Sequence, residues 1–570
     1  MRTKILQVLF TILFVLVGSC LYYLQIVKGT FYSDLSSRNS IRLLNISAPR
    51  GNIYDRYGKL IVGNTLSFGV FVVPQEVDDI DAEMENLSGI LGVSKSLLER
   101  NYRRNRTASF APCELARGVS KKAAILIEES RLDMPGVFVK EMPFRNYYYK
   151  DVFSHAVGYV GEIGQLELEL LKPYGYNIRD SIGKDGVERF CDRILRGKNG
   201  GMQIQVDNRG RQVKVMSYRK PTSGRDVYLT LDAGLQKEVY NLFNGRKGAA
   251  IFMDPHDGEI FCLVSSPSYD PNESLLKAMR SEDSPFLNRA IMGVYPPGSI
   301  FKLVTSIAAL ESKSVSSYTG FVCTGKINIG KDELNCWNKD GHGYVDLENA
   351  IAWSCNVYFC HAGLLTGADK ISEYAGLFGF GKKTGIELFG ESSGFVPAKE
   401  WKRAEKKEIW YPGDTANFSI GQGYLLVTPL QITRMVASIA NGGALIKPHI
   451  LKRVGDADTD NFKTGPFLKV AKENIDTVRR GMRKVIEDPD GTGNRAASGI
   501  VSISAKTGTV QVGPGVTPHG WFVGFAPSEN PKICFAVFLE NGGSGGDAPA
   551  EIAKLALEYW FGKHKNDKKI

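Results

Sequence analysis

Ser299 and Lys302 stand three residues apart in Tyr295-Pro296-Pro297-Gly298-Ser299-Ile300-Phe301-Lys302. Two prolines and a glycine do not continue a helix, while Ile300 to Ser312 reads as a strongly apolar one. Ser299 therefore falls at a helix N-terminus, where unpaired N–H groups and the dipole favour negative charge. Lys302 lies on the same face, one turn deeper. An apolar setting penalises its ammonium form and leaves a neutral amine able to take the serine proton. That is chemistry for acyl transfer. Alone, the pair is more readily an ordinary helix cap, because S-x-x-K is common by chance.

Two further segments change the balance. Ser354-Cys355-Asn356 closes a helical run, Asp346 to Trp353, and offers a hydroxyl and an amide close together. Lys506-Thr507-Gly508-Thr509 lies on an expected strand, Val501 to Val512. S-x-x-K, S-x-N and K-T-G in this order, roughly 55 and 150 residues apart, form the set shared by penicillin-binding proteins and class A β-lactamases.

The rest of the chain resembles the class B penicillin-binding proteins. Arg50-Gly51-Asn52-Ile53-Tyr54-Asp55-Arg56-Tyr57-Gly58 is similar to the first non-catalytic motif of that class, with Tyr57 where asparagine is commoner. Gly158-Tyr159-Val160-Gly161 and Gly183-Lys184-Asp185-Gly186-Val187-Glu188 resemble its later pedestal motifs. Trp410 to Thr415, Ile420-Gly421-Gln422-Gly423 and Thr428-Pro429-Leu430-Gln431 look most like the elongation type, the division type coming next.

The resemblance implies roles. Ser299 would be the acylated nucleophile and Lys302 its base, with Ser354 and Asn356 relaying protons and holding the substrate peptide bond. Lys506 would supply positive charge, and Thr507 and Thr509 would bind the terminal carboxylate of D-Ala-D-Ala. The N–H groups of Ser299 and Thr509 would form an oxyanion hole, worth roughly 3–4 kcal/mol per donor. Gly508 would leave room for the substrate strand. Stem peptides ending in D-Ala-D-Ala would be the substrates, and β-lactams would acylate the same serine. Water as acceptor would give a carboxypeptidase. No segment suggests a glycosyltransferase, so a RodA-like membrane polymerase is the implied partner.

Cys323, Cys336, His342 and Cys355 surround the second motif, and three thiols with an imidazole satisfy structural zinc. The resemblance implies a zinc site at matching positions, built there with carboxylates. Catalysis would need no cofactor. The competing expectation is a Cys323–Cys336 disulfide in an exported chain. Cys113, Cys191, Cys262, Cys360 and Cys534 read as buried apolar residues.

These residues need a scaffold. A strand from Asp226 to Leu231, a helix from Ala233 to Phe243 and a hairpin through Ala249–Met253 and Glu259–Val264 come before Ser299. The middle, about 299 to 490, is mainly helical in pattern. Strands Val501–Val512, Gly520–Phe525 and Ile533–Leu539 follow, then a helix from Ala550 to Phe561. Two strands early and three late predict an α+β domain with a five-stranded antiparallel sheet flanked by helices. The expected divisions are an anchor over 1–28, a mixed pedestal over 29–222, a transpeptidase domain over 223–562 and a basic tail over 563–570.

The chain has 570 residues, 43% hydrophobic and 23% charged, with a net charge of +10. That is too long for one core. No basic stripe interleaved with aromatics marks a nucleic-acid surface. Ile5 to Val27 carries no charge, and as a helix it would reach about 35 Å against a hydrocarbon core of about 30 Å. Arg2 and Lys4 would hold its start in the cytoplasm, leaving the body outside the cytoplasmic membrane. Apolar sequence continuing past Gly18-Ser19-Cys20 argues against a cleaved signal or a lipoprotein box.

Other functions fit less well. A serine β-lactamase would need no anchor and no pedestal of this size, and a penicillin sensor would carry a signalling domain or several spans. Gly542-Gly543-Ser544-Gly545-Gly546 matches a nucleophile elbow but has no helix opening at once, so it reads as a flexible rim. None of the seven histidines is spaced for a triad, and His519 reads as a sheet-edge residue.

Overall fold

Arg2–Tyr22 is α-helical and continues as a π-helical turn over Tyr23–Val27. Thr3–Val27 has a mean hydropathy of 2.3 with none of it buried, and it is the one span among the described residues long and apolar enough to cross a membrane. The computed structural model describes residues 2–32, 41–106, 108–109, 111–206, 212–330, 332–458 and 465–567.

The chain folds as two units that exchange segments. The first takes 1–51, 64–145 and 196–224, and the second takes 52–63, 146–195 and 225–570. The sequence had suggested one contiguous pedestal over 29–222. The hydrogen bonds explain the interleaving. Ile53 and Tyr54 pair with Val227 and Tyr228 and with Val62 and Leu60, so residues 52–63 belong with the later half of the chain.

In the first unit, strands Ile41–Ile46, Gly200–Val206 and Gln212–Arg219 form an antiparallel sheet. A long strand, Leu60–Val72, pairs with Cys113–Val119. Two helices follow, Ile80–Leu91 and Lys95–Asn105. Gly92 adopts φ 65 and donates its N–H to Ser88 O, ending the first. Val70, Val72, Met84, Leu87, Leu98, Leu115 and Ile127 form this unit's core.

In the second unit we label helices α1 (Ala233–Phe243), α2 (Lys302–Glu311), α3 (Leu347–Ala352), α4 (Asn356–Thr366), α5 (Pro429–Ala440), α6 (Lys472–Glu487) and α7 (Ala548–Asp567). Its main strands are β1 (Gly248–Met253), β2 (Ile260–Ser266), β3 (Ser504–Val510), β4 (His519–Ala526) and β5 (Ile533–Leu539). They form the expected five-stranded sheet in the order β2-β1-β5-β4-β3, antiparallel throughout. Every residue of β1, β2 and β5 is buried, as continuous apolar runs require. The α+β reading holds.

Two expected ends differ. Helix α7 runs on to Asp567, so most of the basic tail is helix, while 568–570 lie outside the described residues. The strand expected over Asp226–Leu231 is Val227–Leu229, and it pairs with Ile53–Tyr54 and Leu451–Val454 instead of joining the main sheet.

The pedestal motifs interlock within the second unit. Val160–Glu162 pairs with Ser181–Gly183, and Gly158 has φ 77. A Cβ on Gly158 would stand 1.8 Å from Asp185 O, so the two motifs meet where only glycine fits.

Candidate active site

Ser299 lies in a 3-10 turn, Gly298–Phe301, and α2 begins only at Lys302. The expectation of one α-helix from Ile300 is corrected by its entry geometry: Gly298 takes φ 54 and donates its N–H to Gly421 O at 2.9 Å. A 3-10 turn eclipses residues three apart, which keeps Ser299 and Lys302 on one face. The segment is clamped. Tyr295 exchanges backbone hydrogen bonds with Val427, and Trp521 Nε1 donates to Pro296 O at 3.1 Å. The Tyr295 hydroxyl donates to Glu540 at 2.7 Å, a carboxylate that also receives Arg289 Nε at 2.9 Å.

Lys302 is fully buried. Its Nζ stands 2.7 Å from Ser354 O, 2.7 Å from Asn356 Oδ1 and 3.3 Å from Ser354 Oγ. The carbonyl and the amide oxygen accept only, and together they take both protons of a neutral amine. Its lone pair is left for a hydroxyl proton. Burial pushes the lysine down to about 8, partly opposed by the thiols of Cys355, Cys336 and Cys360.

Ser354 Oγ also receives Lys506 Nζ at 2.9 Å, and Lys506 Nζ donates to Thr507 O at 2.9 Å. One hydroxyl thus bridges two buried lysines. A second ammonium here is disfavoured, first by burial and then by the Lys302 charge, which hold Lys506 well below the usual lysine range.

The second motif is a junction. Ser354 adopts φ 54, a left-handed conformation that side chains seldom take. Cys355 N donates to Ala350 O at 3.0 Å, closing α3, while Cys355 Sγ accepts the Tyr358 N–H and opens α4. Asn356 Nδ2 donates to Asn335 O at 3.0 Å.

The third motif lies on β3, an edge strand of the sheet. A Cβ on Gly298 would meet Val510 Cγ2 at 2.6 Å, and one on Gly508 would meet Ile300 Cγ1 at 3.0 Å and Trp521 Cβ at 3.1 Å. Gly508 is therefore bare for internal packing, which seats the Ser299 turn against the strand. Thr509 is exposed; Thr507 is buried and donates to Thr492 Oγ1 at 2.7 Å. All three motifs converge.

Sequence reading missed Thr492. The Gly491-Thr492-Gly493 punctuation shortly before the third motif was the available signal. The glycine run expected as a flexible rim is packed: a Cβ on Gly545 would lie 2.1 Å from Trp521 O and 2.4 Å from Gly508 O. His519 starts β4, an inner strand, and its Nδ1 accepts the Asn541 N–H, so it is not at the sheet edge.

Cys323, Cys336, His342 and Cys355 come together, their ligand atoms all within 4.8 Å of one another. His342 Nδ1 is 3.5 Å from Cys323 Sγ and 3.6 Å from Cys336 Sγ. All nine cysteines are free thiols, so the alternative Cys323–Cys336 bridge is not formed. A hydrogen bond between Cys336 and Cys355 pushes the Cys336 thiol down and the Cys355 thiol up.

Residues 248–558 match the family model described as the penicillin binding protein transpeptidase domain, and 45–229 match the penicillin-binding protein dimerisation domain. The peptidoglycan D,D-transpeptidase MrdA of Acinetobacter baumannii is 34% identical over 95% of this chain and 84% of its own. The chain belongs to the class B penicillin-binding proteins, in the penicillin-binding protein 2 group. A penicillin-binding protein 2 solved in complex with MreC, from Helicobacter pylori, superposes with a TM-score of 0.82 at 29% identity, covering 91% of this chain and 99% of that one. A chain from a structure of a peptidoglycan synthase complex that coordinates polymerization and crosslinking superposes with a TM-score of 0.73 at 28% identity, covering 98% of each. These matches span both units and, in the last case, nearly the whole chain.

Proposed function

We propose that this protein is an elongation-type peptidoglycan D,D-transpeptidase that works through an acyl-enzyme on Ser299. The observation that carries the reading is the Ser354 hydroxyl held between the amines of Lys302 and Lys506. In the first half-reaction Lys302, neutral, takes the Ser299 proton as Oγ attacks the carbonyl of the penultimate D-Ala. The developing oxyanion is met by the N–H groups of Ser299 and Thr509, and charge there is stabilised most where water is excluded. As the tetrahedral intermediate collapses, the proton passes by way of Ser354 to the nitrogen of the departing D-Ala. A stem-peptide amine then takes its place, loses a proton along the same path and releases the serine. Water in place of that amine gives hydrolysis. A substrate carboxylate beside Lys506 favours the charged form of that lysine.

The thiol cluster suits zinc. Zn–S bonds of about 2.3 Å and Zn–N bonds of about 2.0–2.1 Å set tetrahedral neighbours about 3.6 Å apart, matching the sulfur–nitrogen spacings. Cys323, Cys336, His342 and Cys355 would hold the ion, which supplies no catalytic step and cross-links the hairpins over 321–345 to the second motif. Because Cys355 sits between Ser354 and Asn356, such a clamp would hold both against Lys302.

The apolar helix and the family membership support a single-pass protein of the cytoplasmic membrane, with its body on the outer side. The partners would be MreC, with which the Helicobacter pylori relative was solved, and a glycan polymerase of the RodA-like kind that the resemblance implies. Labelling the full chain with a fluorescent penicillin tests the enzyme assignment: wild type should be labelled and Ser299→Ala should not. Label retained by the variant rejects it.

A further inference from the structure

Thr492 has no part in the three motifs, yet its hydroxyl stands between two of them. Its Oγ1 lies 2.7 Å from Thr507 Oγ1 and 3.2 Å from Ala352 O. The Thr492 N–H reaches the same Ala352 carbonyl at 3.3 Å. Ala352 is fully buried at the end of α3, two residues before Ser354. Thr507 is the central residue of the K-T-G segment on β3.

The turn that carries Thr492 is itself fixed. Gly493 N donates to Val485 O at 3.0 Å, tying it to the end of α6. A Cβ on Gly493 would meet Val485 Cγ1 at 2.9 Å, and one on Gly546 would stand 2.5 Å from Thr492 O. Bare glycines on two sides hold the threonine backbone in place, so its hydroxyl has a defined position.

Proton bookkeeping gives that position a meaning. A carbonyl only accepts, so the Thr492 hydroxyl spends its proton on Ala352 O. Its oxygen then accepts from Thr507, whose proton is spent in turn. Thr509, exposed on the same strand, differs: its Oγ1 accepts the Gly545 N–H at 3.4 Å and keeps its own proton. A carboxylate needs donors.

We propose that Thr492 is a positioning residue of the transpeptidase site. Its hydroxyl locks the K-T-G strand to the helix end bearing Ser354, and by engaging Thr507 it leaves Thr509 as the hydroxyl that receives the substrate carboxylate. The proposal rests on the transpeptidase reading and assigns within it which threonine binds and which holds. Losing the lock disturbs the distance between Lys506 and Ser354, so the chemical step suffers more than binding does.

The test is the acylation of the full chain by a fluorescent penicillin, with the maximal rate and the half-saturating concentration measured separately. Thr492→Val should lower the maximal rate about tenfold, as expected for one hydrogen bond of orientation, and leave half-saturation nearly unchanged. Thr492→Ser should restore the rate. Thr509→Val should instead raise the half-saturating concentration. Thr507→Val should act like Thr492→Val, and the double variant should be no worse than Thr492→Val, because both break the same link between β3 and the end of α3. Wild-type rates in Thr492→Val, independent losses that multiply in the double variant, or a half-saturation shift in Thr507→Val matching that of Thr509→Val would each overturn the proposal. Should Thr492→Val not fold, Thr507→Val carries the test alone, and a wild-type maximal rate there overturns it. Label that persists in Ser299→Ala defeats the enzyme reading instead, so the two failures are distinguishable.

Discussion

If Lys302 is the base, acylation must follow its titration. Burial brings the amine from 10.5 to about 8. At pH 7 about one site in ten then carries a neutral lysine, against about one in three thousand for an ordinary lysine, a gain of about 300-fold in competent sites. The rate of acylation by a fluorescent penicillin should therefore climb almost tenfold per pH unit from 6 to 7.5 and level off above about 8.5. The assay is pulse labelling of the full chain in detergent at saturating reagent, quenched and read on a gel. A flat profile across that range, or one still climbing at pH 10, refutes the neutral-lysine base. The same shift bears on stability. A lysine whose pKa falls on folding contributes most above its unfolded value, near 10.5, and the contribution is lost as pH falls through about 8. The difference is about 3 kcal/mol. Lys302→Met should abolish both labelling and this slope, unfolding at a higher denaturant concentration than wild type at pH 7.

Metal analysis of the purified chain should find about one zinc per molecule, falling below about half an equivalent in Cys323→Ser, with a lower thermal midpoint after chelation. A zinc-free wild type with a bridged cysteine pair would refute the site. Gly158→Ala should cost about 3 kcal/mol or more, because its Cβ would penetrate Asp185 O; near-wild-type unfolding in urea would contradict the interlocked motifs. Tyr295→Phe removes one of the donors to Glu540 and should cost about 1–3 kcal/mol, read from the same denaturation curve. An unchanged midpoint would show that this bond does not hold the Ser299 segment.

What could be read in advance was periodicity and spacing. The apolar runs of β1, β2 and β5 and the pattern of α1 predicted the sheet and its flanking helix almost to the residue, since local composition decides them. The motif residues were legible because their order is rare. The 3-10 entry to α2 was not, because it depends on Gly421, more than a hundred residues later. Nor was the neutralising pressure on Lys506, which exists only once β3 buries it beside Lys302. Thr492 stayed hidden for the same reason. A threonine between glycines looks like a loop until its two partners are in place.

The exchange of segments between the units bears on how the protein is made and cut. Asp55 accepts the Ala233 N–H that opens α1, and Arg56 pairs with Glu259 at 2.9 Å, so these residues are translated about two hundred residues before the partners they contact. During synthesis those early residues wait for partners that have not yet been made. A truncated version started at 225 would expose the Val227–Leu229 strand and discard both the Asp55 cap and the Arg56 pair. A soluble catalytic fragment is better begun after the membrane helix, keeping the two early stretches it borrows.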